Sequence, residues 1–177
     1  MQEKRNINRD IRGLVYAGVL IAMGVLLPQA FHIVGSSLGR VFSPIQLPAF
    51  LAGAILGPIY GGIVGAIVPI LSHIITGMPP VPTVWYMIFE LATYGIAMGI
   101  LRKKCNIYVA LFISIFIGRV VYAGAAAIGI SFFGLEGTIA TFASFFGSIV
   151  RGLPGIAVQF VLIPILYHQL NKSKLLL

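Results

Sequence analysis

Residues 47–75 read LPAFLAGAILGPIYGGIVGAIVPILSHII, and whether this run crosses a membrane once or twice decides the topology of the whole chain. A transmembrane helix uses about 20 apolar residues, so a single tilted helix would cover most of the run. Inside it, however, Gly57-Pro58 is followed by Gly61-Gly62. Proline removes a backbone donor and glycine permits turn dihedrals, so the chain can reverse there. Reversal splits the run into a span over 42–56 and another over 60–75. At 1.5 Å per residue the first of these reaches about 20–24 Å, short of a hydrocarbon core of about 30 Å. Its outer half, with Pro44 and Pro48, is expected to be irregular and packed on protein rather than lipid.

The distribution of charge supports two spans over one. Nine of the twelve Lys and Arg residues fall in three clusters: Lys4, Arg5, Arg9 and Arg12; Arg102, Lys103 and Lys104; and Lys172 with Lys174. Basic clusters beside spans stay in the cytoplasm, so an even number of spans separates each from the next. One helix over 47–75 would place Arg102-Lys103-Lys104 outside. With the reversal, six transmembrane helices result, over 13–34, 42–56, 60–75, 83–101, 107–130 and 141–170, with both termini cytoplasmic. The outer loop Thr76-Gly77-Met78-Pro79-Pro80-Val81-Pro82 is proline-rich and is expected to be stiff and extended.

Composition sets the class. The chain has 177 residues, 59% hydrophobic and 9% charged, with a formal charge of +8 and a mean hydropathy of +1.02. Soluble domains carry about 25% charged residues, so this is an all-α integral membrane protein, read as a single membrane domain over 1–177. The basic tail reads as topogenic, with no nucleic-acid partner implied. Its apolar successor is too long for a cleavable leader, so the first span is retained. Cys105 is the one cysteine, which excludes an internal disulfide or a multi-cysteine cluster. His and carboxylate residues show no metal-ligand spacing, and no nucleophile has an evident base, so neither a metal, a cofactor nor an enzyme is expected.

Ionisable residues at membrane depth are costly and face cavities or one another, so they mark the candidate site. Arg40, Glu90, Arg119 and Arg151 remain after the clusters are set aside; Glu136 belongs to an outer loop. Counted from the span ends, Glu90 lies about 9–10 Å below the outer surface, Arg151 about 15 Å and Arg119 about 16 Å. At 100° per residue, Tyr86, Glu90, Thr93, Tyr94 and Ala97 share one face of the fourth span. Tyr122, Ala123 and Ala126 accompany Arg119, and Ser144, Gly147, Ser148 and Gly155 accompany Arg151. Two readings stand: a polar small-molecule cavity between spans four, five and six, or an ion pair that pins helices. Two arginines against one glutamate leave a positive charge that an anionic ligand would compensate. His73 reads as a packed or loop-bonding histidine. On the first span the small residues Gly13, Ala17, Gly18 and Ala22 form a face suited to close helix approach.

This arrangement resembles the substrate-binding membrane subunits, or S components, of energy-coupling factor (ECF) vitamin transporters, over essentially the whole chain. The portions that carry the resemblance are Phe42-Ser43-Pro44-Ile45-Gln46-Leu47-Pro48-Ala49-Phe50-Leu51-Ala52-Gly53, Gly77-Met78-Pro79-Pro80 and Phe89-Glu90-Leu91-Ala92-Thr93-Tyr94-Gly95. They look like the branch of pantothenate-type subunits and relatives assigned to hydroxymethylpyrimidine, pyridoxine or cobalamin. The resemblance implies capture of a vitamin from outside a prokaryotic cell membrane, through spans four to six and the outer loops. Substrate contacts would then come from Arg40, Tyr86, Glu90, Tyr94, Arg119, Tyr122, Ser148 and Arg151. It further implies a transmembrane coupling subunit and two cytoplasmic ATPases as partners. An Ala-x-x-x-Ala pattern often marks the coupling contact on span one. Here Ala17 is followed four residues on by Ile21, so Ala17, Gly18 and Ala22 stand in for it. Two other classes compete: a small proton-coupled exporter with Glu90 as carrier, and an intramembrane enzyme, which lacks paired catalytic groups.

Overall fold

The structure, a computed structural model, describes residues 2–34, 44–133 and 142–172. Its regular elements among these residues are helices: α1 (Gln2–Val34), α2 (Leu47–Leu56) with a 3-10 turn (Pro44–Gln46) before it, α3 (Pro58–Thr76), α4 (Thr83–Leu101), α5 (Ile107–Phe133) and α6 (Phe142–Lys172). In α1, α3, α4, α5 and α6 a stretch of 19 to 23 residues is long and apolar enough to cross a membrane. The chain is a helical membrane protein. The sixth apolar helix, α2, has ten residues, or about 15 Å, and does not cross the core alone. Pro48 stands in its first turn, where a missing N–H costs nothing but the helix cannot extend upstream through it in regular form. All ten residues of α2 are buried, which is the condition a helix ending at membrane depth must meet. The helix α1 starts well before residue 13. No Gly or Pro interrupts residues 2–12, so the helix continues into the charged tail, where hydropathy carries no signal.

The reversal at Gly57 is real. Its φ of 98° and ψ of 178° lie where L side chains are strained, its N–H donates to the Gly53 carbonyl at 3.2 Å, and Pro58 opens α3 at once. The helices on either side then meet backbone to backbone. A Cβ on Gly61 would lie 2.7 Å from the Gly53 Cα, and one on Gly53 would lie 3.1 Å from the Gly99 nitrogen. Glycine faces on α2, α3 and α4 thus bring three backbones together, as small residues do in lipid. Phe50, Val64, Val68, Leu91, Tyr94 and Met98 fill the fully buried centre of this group.

Two contacts join helix ends near the basic segments. The Tyr60 hydroxyl donates to the Asp10 carbonyl at 3.4 Å, which ties the start of α3 to the start of α1. At the same end the Arg102 guanidinium lies 4.3 Å from the centre of the Tyr167 ring, joining the end of α4 to the last turns of α6. At the opposite end the loop after α3 is not extended. Gly77 closes α3 in the left-handed conformation (φ 71°), and the chain turns back. Ser72 Oγ donates to the Met78 carbonyl (2.8 Å) and His73 Nδ1 to the Pro79 carbonyl (2.8 Å). Prolines cannot donate, so their segment is held through its carbonyls, and His73 is the loop-bonding residue its position suggests.

Candidate functional site

Helical spacing places Tyr86, Glu90, Tyr94 and Ala97 on the inward face of α4, and all four are buried. Thr93, at the edge of that face, turns its hydroxyl back to the Phe89 carbonyl at 2.7 Å. Glu90 is 1% exposed. Its Oε1 accepts from the Tyr94 hydroxyl at 2.6 Å, an i, i+4 pair on one helix face. The same oxygen pairs with Arg119 Nη1 of α5 at 3.1 Å. A carboxylate this deep is tolerated because it is met by both a cation and a hydroxyl. Charge is therefore balanced one to one between α4 and α5 at this pair.

Aromatic rings frame the pair. Tyr94 stacks on Phe50 with centroids 4.6 Å apart and planes at 24°. Its ring lies so close to Gly118 of α5 that a Cβ there would overlap it. Tyr86 and Tyr122 meet edge to face, 5.9 Å apart at 83°. The Tyr86 hydroxyl lies against Gly129, where a Cβ would come within 2.6 Å. Two polar atoms of this group, the Tyr86 hydroxyl and Arg119 Nε, are buried without a partner. Buried polar groups are nearly always paired, so both atoms hold unused hydrogen-bonding capacity. The helix α6 reaches the cluster at Gly152, whose Cβ would lie 3.6 Å from Arg119 Nη2.

Of the residues expected in the site, the structure brings Tyr86, Glu90, Tyr94, Arg119 and Tyr122 together. Ser148 and Arg151 sit on α6, with side chains outside the described set, and Arg40 and Glu136 lie outside the described residues. On α1 the small residues divide. Ala17 is 4% exposed and belongs to the core, whereas Gly18 and Ala22 face outward. Ala17 is thus placed for internal packing, because successive positions on a helix face about 100° apart and Gly18 falls on the outward side.

One buried polar contact was not anticipated. Gln159 Nε2 of α6 donates to Gln46 Oε1, just before α2, at 2.9 Å, with both residues buried. Neither residue carries a full charge, although an amide in an apolar run is itself a depth signal. Phe50, which stacks on Tyr94, is an aromatic residue in an apolar helix and carries no pattern of its own that points to the site.

The family model described as ECF transporter, substrate-specific component matches residues 12–167. No curated protein and no solved structure matches the chain.

Proposed function

The chain belongs to the substrate-specific components of ECF transporters, and from that membership we propose that it captures a water-soluble vitamin outside a prokaryotic cell and passes it inward. Delivery runs through a transmembrane coupling subunit driven by two ATPases, with the chain acting as one membrane domain whose termini are cytoplasmic. The observation that carries the binding site is the pair of buried, unpartnered polar atoms, Tyr86 Oη and Arg119 Nε, beside the satisfied Glu90–Tyr94–Arg119 group. Pantothenate is the first choice, ahead of hydroxymethylpyrimidine, pyridoxine and cobalamin. Its carboxylate answers Arg151, which follows Val150 and precedes the Gly152 that abuts Arg119. Glu90, committed to Arg119 and Tyr94, is poorly suited to the free proton carriage an exporter would ask of it.

Calorimetry on detergent-purified protein without ATP, run against those four vitamins, tests the reading. We expect one of them to bind. With pantothenate, Arg151→Met should weaken affinity about 10- to 150-fold, the range of a charged hydrogen bond in a desolvated site, and amidation of the ligand carboxylate should do the same. Failure of all four to bind below millimolar concentration defeats the vitamin reading. Unchanged affinity for the amidated ligand removes Arg151 from the site.

The outward face of α1 carries Gly18 and Ala22 among the exposed Leu14, Val15, Val19 and Leu26. Small residues there let a partner helix approach closely. Gly18→Leu or Ala22→Leu should abolish uptake or assembly with the coupling subunit while vitamin binding stays intact. Ala17→Leu should instead disturb binding and assembly together, through the core. Equal loss of binding in the Gly18 and Ala22 variants would place that face in internal packing.

A further inference from the structure

A cavity of about 520 Å³ opens between the start of α1, the α2–α3 turn and the end of α4. Its wall holds Asp10, Arg102 and Lys103 together with Tyr60, Ile59 and Ile63. Opposite charges around one space ordinarily close on each other. Among the described residues no ion pair joins these three. Arg102 lies instead over the Tyr167 ring, and its Nε is buried without a partner. Asp10 accepts from Tyr60 through its main-chain carbonyl, and among the described residues its carboxylate has no hydrogen-bond or ion-pair partner. The cavity therefore presents separated positive and negative groups with room between them.

Position narrows the chemistry. Arg102 and Lys103 directly follow a span, at the depth of lipid headgroups, where basic side chains attract phosphate. Ile59 is 75% exposed and Ile63 46%, so one side of the same wall is an apolar path toward the acyl region. A purely anionic headgroup would set its charge against Asp10. We propose that this cavity holds the headgroup of a zwitterionic phospholipid with a primary ammonium, its phosphate on Arg102 and Lys103, its ammonium on Asp10, and its acyl chains along Ile59 and Ile63. Arg102 lies twelve residues, about 18 Å, along α4 from Glu90, and the site needs no vitamin for its occupancy.

Native mass spectrometry of the full chain in detergent, without vitamin, tests this by titration with phosphatidylethanolamine, phosphatidylglycerol and phosphatidylcholine of equal chain length, and with inorganic phosphate. One phosphatidylethanolamine should be retained in preference to the others. Lys103→Gln should lower that retention about fivefold, the effect of one cation near a headgroup. Asp10→Asn should remove the preference for phosphatidylethanolamine over phosphatidylglycerol. Both residues are exposed, so these variants should keep the wild-type melting temperature even if Arg102→Gln, which strips the Tyr167 ring of its cation, does not. Equal retention of the three lipids, or no change in Lys103→Gln, overturns the proposal. Displacement of the lipid by an equal concentration of inorganic phosphate also overturns it, by showing a site for a free anion.

Discussion

Arg119→Met will destabilise the ligand-free protein by about 3–5 kcal/mol, the loss that follows when one partner of a buried ion pair is removed and the other is left unpaired. The stranded group is Glu90, 1% exposed and 3.1 Å from the missing cation. The Tyr94 hydroxyl still donates to it, yet one neutral hydrogen bond does not offset a carboxylate held out of water. Glu90→Gln should be milder, at about 1–3 kcal/mol. Its amide oxygen keeps the Tyr94 bond, and Arg119, with 19% of its side chain exposed, retains some access to polar surroundings. The decisive measurement is the double variant. Arg119→Met combined with Glu90→Gln should be more stable than Arg119→Met alone, with a coupling of about 0.5–3 kcal/mol by denaturant unfolding in mixed micelles. Equal loss in the single and double variants would mean the pair does not pin α4 to α5.

That pairing changes what the site offers a ligand. Since Glu90 holds Arg119, a carboxylate ligand of the kind proposed would meet a neutral group on α4 and α5, and Arg151 would be left to answer its charge. Glu90→Gln should therefore tighten binding of a carboxylate ligand even as it lowers stability. Those opposite signs separate ligand recognition from helix pinning in one variant.

How much of this was legible beforehand depends on how local the signal was. The reversal at Gly57-Pro58 and the bounds Thr83–Leu101 of α4 follow from glycine, proline and charge placement, which act over a few residues. The face holding Tyr86, Glu90 and Tyr94 follows from helical period alone. The pairing of Glu90 with Arg119 did not, since Arg119 and Arg151 lie at similar depth by residue count and only the packing of α5 on α4 brings Arg119 beside it. Burial of Ala17 but not Gly18 likewise depends on the rotation of α1 about its axis, which a face of small residues leaves open. The Gln46–Gln159 contact spans 113 positions, and nothing near either residue indicates the other. Proline count alone predicts a stiff, extended loop after α3, whereas the Ser72 and His73 side chains that bind its carbonyls decide its path.

Gly95→Val should yield no folded protein. A Cβ on Gly95 would lie 2.7 Å from the Gly61 Cα and closer still to the Gly61 carbonyl, so α3 and α4 must separate before any side chain fits. Neither neighbour can yield as a flexible side chain would, because both are backbone, and overpacking against fixed atoms exceeds the usual 1–3 kcal/mol of a crowded core. The strain also spreads. One turn away Gly65 faces the Leu91 backbone, with a Cβ there 2.7 Å from the Ala92 nitrogen, and on the other side Gly53 faces Gly95 and Gly99. Parting α4 from α3 therefore parts it from α2, and Phe50 leaves the Tyr94 ring on which it stacks. Tyr94 in turn holds Glu90, so the candidate site is lost with the helix contact. Gly124→Val on α5 is the control. Gly124 is exposed and a Cβ there meets nothing within 4 Å, so that variant should elute from size exclusion as wild type does and bind ligand equally well. A monodisperse, ligand-binding Gly95→Val protein would show that α3 and α4 do not meet backbone to backbone at this level.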